Sequence, residues 1–95
     1  MKDEHRAVLD RALAKWGRDS QVMLALEEMA ELSKELLKNI NRNRDNVAQI
    51  TAEIADVYVV LEQVKNAYSI EDRDISEIMD AKILRLKAKL DALDG

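Results

Sequence analysis

A chain of 95 residues makes one domain, residues 1–95, near the lower size limit for building its own core. Its formal charge of −4 supplies no basic field, which argues against a nucleic-acid partner, and the lack of cysteine excludes disulfides and thiolate metal sites. With no proline, two glycines and abundant Ala, Leu, Glu, Lys and Arg, the composition predicts an all-α protein.

Four helices are expected in chain order. The first covers about 3–16, where Val8, Leu9, Ala12, Leu13 and Trp16 recur at helical spacing and Gly17 acts as a stop. This start, "MKDEHRAVLDRALAKWG", is amphipathic and has no apolar signal-peptide core. Nor does any stretch approach a membrane span, so the expectation is a soluble, cytoplasmic protein without a membrane partner. The second helix covers about 20–41, capped by Asp19 or Ser20. Its apolar arc is Val22, Leu26, Met29, Leu36, Leu37 and Ile40, and Glu28, Glu31, Leu24 and Glu35 lie on its other side.

The polar run "NRNRDN" (41–46) reads as a turn, with Asp45 or Asn46 capping a third helix over about 46–68. Its "VYVVL" has strand-like β-branching, but the apolar run continues to Val64 without a turn signal, so the helix is preferred. This helix is apolar nearly all round, which predicts burial on several sides and a second chain to help cover it. Tyr58 falls opposite the acids and reads as core. "SIEDRD" then leads to a fourth helix over about 75–93, capped by Ser69 with Asp72 or by Asp74 with Glu77. Its stripe is Ile75, Ile78, Met79, Ile83, Leu86, Leu90 and Leu93.

Two acidic pairs stand out. Glu28 and Glu31 share one face of the second helix, and Glu53 and Asp56 share one face of the third inside the apolar "EIADVYVVL". A buried carboxylate without a partner costs several kcal/mol. The pairs are mirror-symmetric about residue 42, inside the polar turn. An antiparallel hairpin therefore sets Glu28 opposite Asp56 and Glu31 opposite Glu53. Four converging carboxylates either share protons or bind a cation, and all-oxygen ligation suits Mg²⁺ or Mn²⁺. A di-iron site needs Glu-x-x-His on two helices, and His5 is the only histidine. The plainer reading of helix 2 is a solvated face, with Glu31 paired to Lys34 or Lys38 and Glu35 to Lys38 or Asn39.

"EExxE" at 27–31 followed by "ExxD" at 53–56 resembles the signature of MazG-like, all-α nucleoside triphosphate pyrophosphohydrolases. "KWGRDSQVMLALEEMAELSKELLK", "NVAQITAEIADVYVVLEQVK" and "AKILRLKAKL" are similar to the small single-domain, phage-type members. The resemblance implies a four-helix bundle assembled as a homodimer or homotetramer. It implies Mg²⁺ held by Glu28, Glu31, Glu53 and Asp56, and cleavage of a nucleoside triphosphate between the α and β phosphates. Glu27, or a ligand acid with a free oxygen such as Glu31, is the expected water-orienting group. Lys34, Lys38, Lys82 and Arg85 are the cations expected to meet phosphates, against the plain reading of solvated side chains. Where related sequences carry an asparagine after the last-helix lysine, this chain has Leu86. Trp16 is either a base-stacking residue or a packing corner. Two other functions fit the same residues: a nucleotide sensor of this fold with little turnover, and a structural helical module whose acids are exposed or paired with Lys and Arg.

Overall fold

A computed structural model describes residues 1–95, and every regular element in it is helical. Three helices, not four, make up the chain: α1 (Asp3–Arg42), α2 (Val47–Ala67) and α3 (Asp72–Asp94). The first two expected helices are joined in α1. Gly17 interrupts it with φ 83° and ψ 167°, a backbone conformation essentially reserved for glycine. A Cβ there would meet nothing within 4 Å, so the backbone angle and not crowding calls for glycine. Helical backbone angles resume after Gly17, which leaves Asp19 and Ser20 inside the helix rather than capping one.

α1 runs into the expected turn as far as Arg42 and closes on Asn43 in the left-handed conformation (φ 49°, ψ 43°), which asparagine tolerates. Asn46 occupies the cap position of α2 but makes no capping bond. Its buried side chain reaches back instead. Asn46 Nδ2 donates to the backbone oxygen of Glu35 at 2.9 Å and to Glu35 Oε2 at 2.8 Å, and Asn46 Oδ1 accepts from Asn39 Nδ2 at 3.1 Å. Asn39 Nδ2 also donates to the Arg44 carbonyl at 3.0 Å. The turn is thus stapled across its base.

α1 and α2 form an antiparallel hairpin. At the far end Gln63 Nε2 donates to Gln21 Oε1 at 2.6 Å, both side chains buried. Gln21 and Gln63 mirror each other about residue 42, the register that the acidic pairs predict. Ala25, Val57 and Val60 complete the buried set, with Leu32 partly covered. The arm before Gly17 reaches the same end of α2, where Asn66 Nδ2 donates to Asp10 Oδ1 at 2.9 Å and Arg18 lies over the Tyr68 ring at 5.7 Å.

α2 ends in a Schellman motif. Ser69 takes the left-handed position (φ 54°), Ile70 N–H donates to Lys65 O at 2.9 Å and Ser69 N–H to Asn66 O at 3.3 Å. α3 begins at Asp72, earlier than expected, and neither proposed capping box forms: Glu71 is the cap residue without a side-chain bond, and Asp72 pairs with Lys65. Lys65 also binds Glu62 Oε1 at 2.8 Å, so one ammonium joins the end of α2 to the start of α3. Beyond that joint α3 packs on neither helix and buries none of its residues.

Two burial expectations are corrected. Tyr58 is not core but 69% exposed, because it sits on the side of α2 turned away from α1. The four-helix bundle becomes a two-helix hairpin with α3 unpacked beside it. No helix is long and apolar enough to cross a membrane.

Removing one partner of the buried glutamine pair strands the other without a hydrogen bond. Gln63→Leu is expected to cost about 1–3 kcal/mol in urea unfolding, and the Gln21→Leu/Gln63→Leu double variant to recover most of it, since matched apolar groups leave nothing unsatisfied.

Candidate metal centre

The acids stand near the middle of the hairpin, where the α1 face packed on α2 passes from small and polar residues (Gln21, Ala25) to Glu28. Helical periodicity puts Glu28 one turn beyond Ala25, and Glu53 one turn before Val57, so both carboxylates flank the buried strip. Glu28, Glu53 and Asp56 each offer a carboxylate oxygen, and these oxygens lie within 4.8 Å of one another. Glu28 and Glu53 are half-buried and Asp56 is exposed. The hairpin therefore brings together three of the four expected ligands, from both arms.

Glu31 stands outside this group of three but within electrostatic reach of it. Burial pushes the Glu53 carboxyl above its ordinary value of 4.5, and the charges of Asp56, Glu28, Glu31 and Glu35 push it further in the same direction. Glu53 Oε2 is sequestered from water with no hydrogen-bond partner. None of Glu28, Glu31, Glu53 and Asp56 is in an ion pair. The donor set is one that a hard divalent cation would fit: it would supply a partner for Glu53 Oε2 and offset the mutual repulsion.

Glu35 behaves in the opposite way. The Asn46 amide and the Lys38 ammonium, whose Nζ is 3.1 Å from Glu35 Oε1, hold its carboxyl below the ordinary range. The expected Glu35–Lys38 pair is present, and Asn39 serves Asn46 and Arg44 rather than Glu35. Asn46 as the organiser of this corner was not anticipated. Its signal was the i, i+7 and i, i+11 proximity that a tight turn after Arg42 creates.

The remaining residues divide by location. Glu27 is exposed on α1, next to Glu28 in sequence but outside the group of three. Lys34 and Lys38 line a groove along α1 with Ser33, Asn41 and Arg42. Lys82 and Arg85 line a separate shallow groove confined to α3, with Glu77, Ile78 and Ala81. Trp16 borders a depression at the α1 break with Gly17, Arg18, Asp19 and Ser20, and is exposed rather than closing a packing corner. None of the three clustered acids lines these grooves. No protein-family model, characterised protein or solved structure matched the chain.

The pH dependence separates Glu53 from the other perturbed acids. A carboxyl raised in the folded state stabilises the fold fully below its unfolded value and loses that contribution as pH climbs through the folded value. Glu35 and Asp72 are lowered, so their contributions hold above their ordinary values of 4.5 and 3.8 and fade only below them. With divalent ions chelated, lowering the pH from about 7 to about 5 is expected to raise the melting temperature of the wild type. Glu53→Gln is expected to show a flat profile over that interval.

Proposed function

We propose that the protein is a Mg²⁺-dependent nucleoside triphosphate pyrophosphohydrolase, with Mn²⁺ as an alternative ion. The observation that carries this reading is the unpartnered, sequestered oxygen of Glu53 among converging carboxylates drawn from both arms of one hairpin. A structural module would leave such acids exposed or pair them with Lys or Arg; Asp56 and Glu31 are exposed, whereas Glu53 Oε2 is neither exposed nor paired. The resemblance of the "EExxE" and "ExxD" segments to MazG-like enzymes supplies the reaction class.

Glu28, Glu53 and Asp56 would hold the ion, with Glu31 adjacent. An ion held there would supply Lewis acidity toward phosphate oxygens and would acidify water, which four bare carboxylates facing a polyanion do not do. The exposed Glu27 and the carboxylate of Glu31 orient the attacking water and take up its proton. The water oxygen bonds to the α-phosphorus as the bond from that phosphorus to the bridging oxygen breaks. Pyrophosphate leaves with the electron pair and the nucleoside monophosphate remains. Lys34 lies one turn from Glu31 and is free of any ion pair, which suits it to a departing phosphate. Lys38 stands a turn further on and is held by Glu35. Lys82, Arg85 and Trp16, on their separate surfaces, are assigned to substrate contact by the resemblance alone. The chain works as a homo-oligomer.

A second reading, Mg²⁺-dependent nucleotide binding with little turnover, draws on the position of Lys82 and Arg85 on a groove remote from the acids and on Leu86 beside them. One assay separates the readings. Incubation with a panel of canonical and damaged nucleoside triphosphates and Mg²⁺ is expected to release pyrophosphate and monophosphate. Glu53→Gln is expected to lower that rate about 100-fold or more, equivalent to the several kcal/mol that an ion contributes. Mg²⁺-dependent binding without pyrophosphate release favours the sensor, and neither signal across the panel removes both.

A further inference from the structure

The surface of the chain is larger than a folded monomer of its mass exposes. A monomer of 10.8 kDa has an accessible surface of roughly 5,500 Å² by the usual scaling. This chain exposes 7618 Å². The excess of roughly 2,000 Å² exceeds the roughly 800 Å² that each partner contributes to a standard interface and falls in the range of obligate dimers.

Many of the exposed large apolar residues lie on two surfaces. One is the flank of the hairpin. On α1, Leu26, Met29, Leu36, Leu37 and Ile40 are exposed, and on α2, Val47, Ile54, Tyr58 and Leu61. Helical periodicity and the antiparallel pairing put both sets on the same side of the hairpin, opposite the acids. The other is the stripe on α3: Met79, Ile83, Leu86, Leu90 and Leu93, spaced by alternating fours and threes as in a helix that packs along another helix. α3 has 23 residues and α2 has 21, so the two surfaces match in length, about 32–35 Å. Within one chain they do not meet.

We propose that α3 is an arm that docks on the apolar flank of the hairpin of a second copy of this chain, with the exchange reciprocated. Each copy then supplies what the other lacks: a long apolar stripe for an uncovered hairpin. The inference stands on the uncovered area alone and does not depend on the metal or on catalysis.

Mixed ¹⁴N- and ¹⁵N-labelled wild-type chains, treated with a lysine crosslinker and digested, test it directly. Isotopically mixed peptides joining Lys82, Lys87 or Lys89 of α3 to Lys34, Lys38 or Lys65 of the hairpin are expected. Finding those crosslinks only within one copy overturns the proposal, as does a wild-type mass of a single chain by light scattering at micromolar concentration. Variants give an independent check. Leu86→Glu/Leu90→Glu and Leu26→Glu/Tyr58→Glu are each expected to run as single chains. Mixing them is expected to restore a two-chain species, because one intact arm then meets one intact flank. Failure to restore it points to hairpin-on-hairpin or arm-on-arm pairing and overturns the exchange.

Discussion

The register of α1 against α2 is the constraint on which the rest depends. It is pinned at both ends by polar contacts, Gln63 to Gln21 at one end and Asn46 to Glu35 at the other. Between these pins the buried apolar residues are few and small or β-branched: Ala25, Val57 and Val60. Apolar packing of that kind is tolerant of slippage, whereas a hydrogen bond between two buried amides holds in one alignment only. The acids meet because the glutamines and the asparagine do not let them drift.

The acidic centre works against the fold that builds it. Burial and like charge both disfavour the ionised form of Glu53, and no lysine or arginine of the chain comes to relieve them. Lys38 is committed to Glu35 and Lys65 to Glu62 and Asp72, and Lys34, one turn from Glu31, forms no ion pair. A protein that needed only a stable hairpin would place apolar or paired residues here. Keeping the cluster unrelieved is reasonable where a cation arrives from outside, since polar groups left unsatisfied inside a fold gather at sites with work to do.

Much of this was legible from residues alone. The all-helical class follows from composition, and the hairpin with its turn near residue 42 follows from "NRNRDN" and the mirrored acids. The mirrored pair Gln21 and Gln63 carried the same information and could have been read with them. Elsewhere local signals misled. Gly17 does break the helical backbone, as a terminator would, but helical angles resume directly after it, so the two expected helices run on across a kink with no linker between them. Ser69 with Asp72 spells a capping box, but Lys65 outcompetes the cap for the Asp72 carboxylate and Ser69 is used to end α2. Tyr58 reads as core because apolar character is a poor guide to direction: the α2 sequence is hydrophobic on sides that its own chain never covers. Glu31 fell outside the tight group because mirror symmetry fixes which residues face each other along the helices but not how far each side chain leans toward the axis between them.

Gly17 carries a consequence for the shape of the whole molecule. Forty residues of unbroken α-helix would make a shaft of about 60 Å. The longest dimension of the protein is 52 Å. The elbow at Gly17 turns the leading arm so that Asp10 clasps Asn66, and just past it Arg18 lies over the Tyr68 ring, at the end of the hairpin opposite the turn. A methyl group at that one position would favour the straight shaft, undo the clasp and leave the mouth of the hairpin open to water.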